Sequence, residues 1–204
     1  PNARAGFFRA EYNNCLICDF RPERSPLKNL TKSLSENFKI EEEKIGEELN
    51  FGFSSLIKVY KNSPYYIDKK SEKWKNASFE QQKQMKSKGA NLFILADQFE
   101  EFFTNPENYS AGIPSEEAYL TVNLLLESAS LAITENLPVY VVFTMRSDYI
   151  SQSVSYKGLP EFIGYSQFFV PRLQRNELQQ VIEDPARLAG GSISKRLTET
   201  LINE

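Results

Sequence analysis

Two uninterrupted apolar runs, Leu92-Phe93-Ile94-Leu95-Ala96 and Val139-Tyr140-Val141-Val142-Phe143, constrain this chain more than any other feature. A strand with one wet face alternates apolar and polar residues, whereas a run without a polar member is expected where both faces are covered, as in parallel sheets. Each run stops abruptly, the first at Asp97-Gln98-Phe99-Glu100-Glu101 and the second at Thr144-Met145-Arg146-Ser147-Asp148. Between them, Pro114-Ser115-Glu116-Glu117 supplies a Ser cap and first-turn acids, and Ala118, Val122, Leu125, Ala129 and Ile133 keep helical spacing as a buried face. Strand, long helix, strand is the βαβ unit, with parallel strands and a right-handed crossover. The fold class predicted is α/β.

Upstream, Cys15 to Phe20 has the character of a short buried strand, followed by Ser25 as N-cap and Pro26 at the first helical position. Leu27, Leu30, Leu34 and Phe38 give that helix one apolar face. Ile45, Leu49, Phe53, Leu56 and Tyr60 predict continued helix from Glu41 to Tyr60. Ser78-Phe79-Glu80-Gln81 has the form of a capping box, with Gly89 at the expected helix end. The lysine-rich stretch between Lys61 and Asn76, broken by Pro64, is the expected variable segment. Downstream, Gln167 to Pro171 is a strand candidate, a helix is expected from about Asn176 and to be ended or kinked by Pro185, and Ser192 is expected to cap a last helix using Ile193, Leu197 and Leu201. The opening Pro1-Asn2-Ala3-Arg4 and the final helix lead to the expectation of a piece of a longer protein.

Composition excludes several chemistries. The chain has no histidine, which removes Ser–His–Asp and Cys–His catalysis, His-ligated zinc and a histidine pH switch. Its two cysteines form Cys15-Leu16-Ile17-Cys18; on a strand, residues three apart face opposite sides, so the sulfurs cannot converge on a metal or join readily. Free thiols fit a reducing compartment, hence an expected cytoplasmic location. No apolar run approaches the length needed to cross a bilayer. With 41% hydrophobic residues the chain can build a core, and a net charge of −3 gives no global reason to expect nucleic acid as partner. Locally, Trp74, Tyr65, Tyr66 and Phe79 are interleaved with lysines, as in surfaces that stack bases. Asp68, Glu72 and Glu80 dilute that charge and make a solvated face the favoured reading.

Ligands of open α/β sheets bind outside the carboxyl ends of the strands. Asp97 stands at one such end and Arg146 just past the other. An acid to hold magnesium and a cation to meet a terminal phosphoryl group are what a metal-bound phosphate requires. Glu100 and Glu101 lie within reach of an attacking water, though acids there also suit a helix N-terminus.

At these residues a resemblance becomes specific. LFILADQFEEFFT (Leu92 to Thr104) resembles the Walker B segment of the novel STAND NTPases, bacterial signal-transducing P-loop ATPases. VVFTMRSDY (Val141 to Tyr149) is similar to their sensor strand, and LPEFIGYSQFFVPRLQRNELQQVIEDPARLAG (Leu159 to Gly190) to their passage from the last sheet strand into a helical lid. DFRPERSPLKNL (Asp19 to Leu30) resembles the second-strand element after the phosphate loop. The resemblance implies a three-layer P-loop NTPase-like parallel sheet lacking its first strand over residues 1–171, and the start of a helical lid over 172–204. It implies that Asp97 holds magnesium, that Glu100 or Glu101 acts on water, that Arg146 reads the γ-phosphate of ATP, and that Pro185 lies near the nucleotide. It further implies an ATP-driven switch with self-association, in bacterial defence or signalling.

One departure is decisive. No G-x-x-x-x-G-K-[ST] occurs in these residues; in the family that loop precedes the segment resembling Pro1 to Phe8, so it is expected upstream. Since the loop supplies most of the phosphate contacts, this chain alone is expected to bind ATP poorly and hydrolyse it negligibly. The competing class is a degenerate α/β scaffold without catalysis, or a module for nucleic-acid or protein interaction.

Overall fold

A computed structural model describes residues 10–203; the segment Pro1 to Phe8 lies outside them. β1 (Asn14–Phe20) leads through a turn into α1 (Pro26–Phe38), α2 (Glu42–Leu49), α3 (Ser55–Asn62), α4 (Glu72–Lys75) and α5 (Phe79–Lys88). Then come β2 (Ala90–Ala96), a short α6 (Glu101–Thr104), a small hairpin of β3 (Tyr109–Ser110) and β4 (Ile113–Pro114), and the long α7 (Glu116–Glu135). β5 (Val139–Phe143) and a 3₁₀ helix (Ser147–Ser155) are followed by α8 (Leu159–Ser166), α9 (Arg175–Leu188) and α10 (Lys195–Asn203). The chain divides into two compact units after Tyr165.

β1, β2 and β5 form one parallel sheet in that order. β1 pairs with β2 from Asn14–Ala90 to Phe20–Ala96, and β2 with β5 from Leu92–Val139 to Ala96–Phe143. Leu92, Ile94 and Ala96 are fully buried, together with Cys18 and Phe20 from β1. α1 packs on β1, α7 packs on β5, and the two helices pack on each other, so they cover the same face. On the opposite face Ile17 is exposed, while Phe93, Leu95, Tyr140 and Val142 are half-buried. The parallel α/β sheet expected from the two apolar runs is thus present; the described residues place their principal helical layer on one side of it.

Local signals worked where they had a side chain to act through. Ser78 and Gln81 form a full capping box on α5, and Ser115 accepts from the Ala118 amide to start α7. Cys15 is exposed and Cys18 buried, with both thiols free; burial pushes the Cys18 thiol up to about 12. Other expectations need correction. Ser25 makes no side-chain cap bond, and the Leu27 amide at that helix start is instead taken by the Glu117 carboxylate at 3.0 Å. The stretch from Glu41 to Tyr60 is broken between Leu49 and Ser55, where Gly52 adopts φ 141° and Phe53 turns outward. Ile133 is 79% exposed; in the last turn of α7 the buried residue is its neighbour Ala132.

The second unit also departs from expectation. Gln167 to Pro171 forms no strand. Pro185 does not end α9, which continues through it to Leu188. Ser194, not Ser192, caps α10 by accepting from the Leu197 amide. Thr198 Oγ1 donates to Glu183 at 3.1 Å and Arg175 to Asn203 at 3.0 Å, tying α9 to α10. No helix among the described residues is long and apolar enough to cross a membrane.

At the amino end of the sheet, Asn91 is buried and its amide is saturated. Its oxygen accepts from the Glu11 and Tyr12 amides at 2.9 and 3.2 Å, and its nitrogen donates to the Tyr12 and Asn14 carbonyls at 2.7 and 2.9 Å. Beside it, a Cβ on Gly89 would stand 2.6 Å from the Tyr12 ring, so this glycine serves close approach rather than a left-handed turn. Removing the Asn91 amide leaves buried backbone groups unpaired, each costly. Asn91→Ala is expected to lose roughly 2–4 kcal/mol in urea denaturation; a loss under about 0.5 kcal/mol would show that the clamp carries little of the stability.

Candidate functional site

The strand register decides what meets at the carboxyl edge. Phe20, Ala96 and Phe143 are aligned across the sheet, so the residues that follow them, Arg21, Asp97 and Thr144, come out side by side. The backbone keeps that alignment beyond the strands: the Asp97 amide donates to the Phe20 carbonyl at 2.9 Å and the Thr144 amide to the Ala96 carbonyl at 3.1 Å.

Asp97 is the centre of this row. Arg21 Nε and Nη2 both reach Asp97 Oδ2 at 3.0 Å, and the Thr144 hydroxyl donates to Oδ1 at 2.6 Å. The Thr144 oxygen also accepts from the Gln98 amide at 3.0 Å. The Thr144 hydrogen bond first, and then Arg21, hold the Asp97 carboxyl below its ordinary value of 3.8. Neither partner was singled out from the sequence, although Arg21 follows β1 just as Asp97 follows β2.

The turn after Asp97 is shaped by Phe99. Its ring is fully buried, 4.3 Å from the Phe143 ring and 4.8 Å from that of Phe102. Pulling Phe99 inward leaves Gln98 at φ 56°, a left-handed conformation unusual for a residue with a side chain. It also separates the two neighbouring glutamates. Glu101 Oε2 accepts from the Glu23 amide at 2.7 Å, while the Glu23 carbonyl accepts from Asn105 and Asn108 at 2.7 and 2.6 Å. Glu101 therefore helps to hold the β1–α1 turn, where Glu23 has φ 45°. Glu100 is different: its Oε2 is buried and has no hydrogen-bond partner among the described residues.

Arg146 stands past the end of β5, two residues beyond the Thr144 that bonds Asp97. Its Nη2 lies 2.7 Å from Asp148, and its guanidinium sits 5.5 Å from the Tyr149 ring centroid. Asp148 foremost raises its basicity, with Tyr149 and Glu100 among the further contributors. Asp97 and Arg146 thus share one edge of the sheet, but the guanidinium facing Asp97 belongs to Arg21. Pro185 is on α9 of the second unit. A cavity of about 530 Å³ between α1, α2 and α7 is lined by Leu27, Lys28, Thr31, Glu42, Glu43, Gly46 and Glu117 and includes none of these residues. Of the aromatic residues among the lysines, Tyr65 and Tyr66 pack against the core; Trp74 has the Lys86 ammonium 5.9 Å from its ring centroid, and Phe79 is exposed.

Because the Asp97 carboxyl is depressed in the folded state, its contribution to stability is present above the ordinary value of 3.8 and is lost as pH falls below it. The stability difference between the natural chain and Asp97→Asn, followed by thermal melts, is expected to be flat near neutrality and to shrink as pH drops through 4 toward 3. A difference that stays constant over that range would show that the carboxylate is not held by these partners.

No curated protein and no solved structure matches this chain. The family model for Novel STAND NTPase 1, in contrast, matches residues 3–204. A match over nearly the whole length, on a chain whose parallel strands present an acid, a threonine and two arginines at one carboxyl edge, makes the assignment plain: the chain belongs to the novel STAND NTPase family.

Proposed function

We propose that this chain is core machinery of a STAND-type ATP-driven switch, in which binding and slow hydrolysis of ATP are coupled to conformational change and self-association in bacterial signalling or defence. Family membership implies nucleotide binding in general terms. The observation that carries the specific reading is the row formed by Arg21, Asp97 and Thr144, with the unpartnered Glu100 oxygen three residues from its centre.

The residues present fit magnesium of one kind. Among the described residues no group of three acids, cysteines or histidines could hold a metal alone. Magnesium accompanying a nucleotide needs only one or two carboxylates, since phosphate oxygens and water complete its shell. Asp97 is suited to that part: it ends a buried strand, and its carboxylate already draws a cation. When bound, the metal neutralises phosphate charge. The protein's own contribution is positional. Thr144 orients the Asp97 carboxylate by donating to one oxygen.

Glu100 is assigned to orient the attacking water and accept its proton, in preference to Glu101. A buried carboxylate oxygen without a partner is available for that task, whereas Glu101 is committed to the Glu23 amide. Arg146, exposed and on the same edge, is assigned to the γ-phosphate; exchanging Asp148 for phosphate costs little at a solvated position. Pro185, in the helical segment, is the proposed lid contact to the nucleotide. Loss of the γ-phosphate after hydrolysis releases these contacts and the arrangement they maintain.

Phosphate binding in this scheme depends on a loop that the 204 residues do not contain. Calorimetry on this chain alone is accordingly expected to show no micromolar ATP affinity, and a micromolar value would contradict the scheme. In a form that also carries a phosphate loop, Glu100→Gln is expected to cut ATP turnover about 100-fold or more while retaining ATP binding. Glu101→Gln should instead cost about 1 kcal/mol of stability with turnover changed only a few-fold. Arg146→Ala is expected to uncouple ATP from assembly without impairing folding. Equal effects of the two glutamate substitutions on turnover would sink the assignment of Glu100, and no nucleotide binding at all would leave the non-catalytic scaffold.

A further inference from the structure

We propose that Arg21 is a positioning residue that occupies Asp97 until a divalent cation arrives, so that guanidinium and metal compete for a single carboxylate. This rests on the reading of Asp97 as the metal-holding acid.

Three observations carry it. First, both Asp97 oxygens are engaged, one by two nitrogens of Arg21 and the other by the Thr144 hydroxyl. Two Arg21 nitrogens fill the lone-pair sites of Oδ2, so a cation that takes this oxygen, alone or together with Oδ1, has to displace the guanidinium. Secondly, the pair is accessible, with side-chain exposures of 54% for Arg21 and 36% for Asp97. An ion pair so solvated is weak enough to exchange against a metal that brings its own double charge. Thirdly, the backbone of Arg21 is anchored independently of its side chain. Its carbonyl accepts from Asn29 at 2.9 Å, and the following residues are fixed by Glu101, Asn105 and Asn108 through Glu23. The guanidinium can therefore swing away while the β1–α1 turn stays in place. Occupied by Arg21, Asp97 is held in the crevice with its charge neutralised, and the cost of leaving it exposed beside Glu100 and Glu101 is avoided.

The competition has a sign that a structural role does not share. If Arg21 only supported the site, its removal would loosen Asp97 and weaken metal binding; as a competitor, its removal strengthens it. The test uses Mn2+ as probe and the paramagnetic broadening of the Asp97, Gln98 and Thr144 amides in the 15N-labelled chain. Arg21→Gln is expected to reach equal broadening at about fivefold lower Mn2+ than the natural chain. Adding Asp97→Asn should abolish the local broadening. Equal or weaker Mn2+ response in Arg21→Gln overturns the competition while leaving Asp97 as a metal-holding acid. Absence of local broadening in both proteins likewise overturns the competition, because no free cation then reaches Asp97. A measurement on the unmutated chain is independent of any folding defect in the variant: on adding Mg2+, the Arg21 Nε–Hε resonance should move toward the position of unpaired arginine. A paired resonance that persists while the Asp97 amide responds to Mg2+ equally refutes the proposal.

Discussion

The alignment of three parallel strands is the constraint from which the site follows. Parallel pairing fixes direction as well as position, so all three chains leave the sheet at the same edge. Once Phe20, Ala96 and Phe143 are aligned, Arg21, Asp97 and Thr144 have nowhere else to emerge. A slip of one residue in either pairing would turn the buried set of that strand outward and remove one member of the row. The buried Leu92, Ile94 and Ala96 therefore protect the chemistry at the edge as much as they stabilise the interior.

Much of this was legible in the amino-acid sequence because it is written in local terms. The two apolar runs, the Ser caps at Ser78 and Ser115 and the acid after β2 depend on neighbours a few residues apart. Arg21 and Thr144 escaped notice because their meaning comes from partners 76 and 47 residues away. The surroundings of Glu100 and Glu101 could not be told apart either, since their difference lies in the Glu23 amide, which the fold delivers from the β1–α1 turn. Ser25 and Glu117 teach the same lesson from the other side: a good local cap was available, and a distant carboxylate took the amide.

Adjacent glutamates with unlike surroundings show how a small aromatic anchor sorts chemical roles. Burying Phe99 between Phe143 and Phe102 fixes the rotation of the chain after Asp97. One glutamate then holds a turn, and the other keeps a buried oxygen without a partner among the described residues. The unusual backbone at Gln98 and Glu23 falls in these same two turns, where strain is tolerated because the surrounding hydrogen bonds over-determine the path.

The amide of Asn91 sets the two ends of the sheet apart. It satisfies four backbone groups at the end of the sheet opposite Asp97, in a buried setting where exchange with water is costly. At the carboxyl edge, by contrast, the Arg21–Asp97 and Arg146–Asp148 side-chain pairs are solvated ones that other ions can replace. Exchangeable side-chain ties therefore lie at one pole of the strands, and a buried amide closes the other.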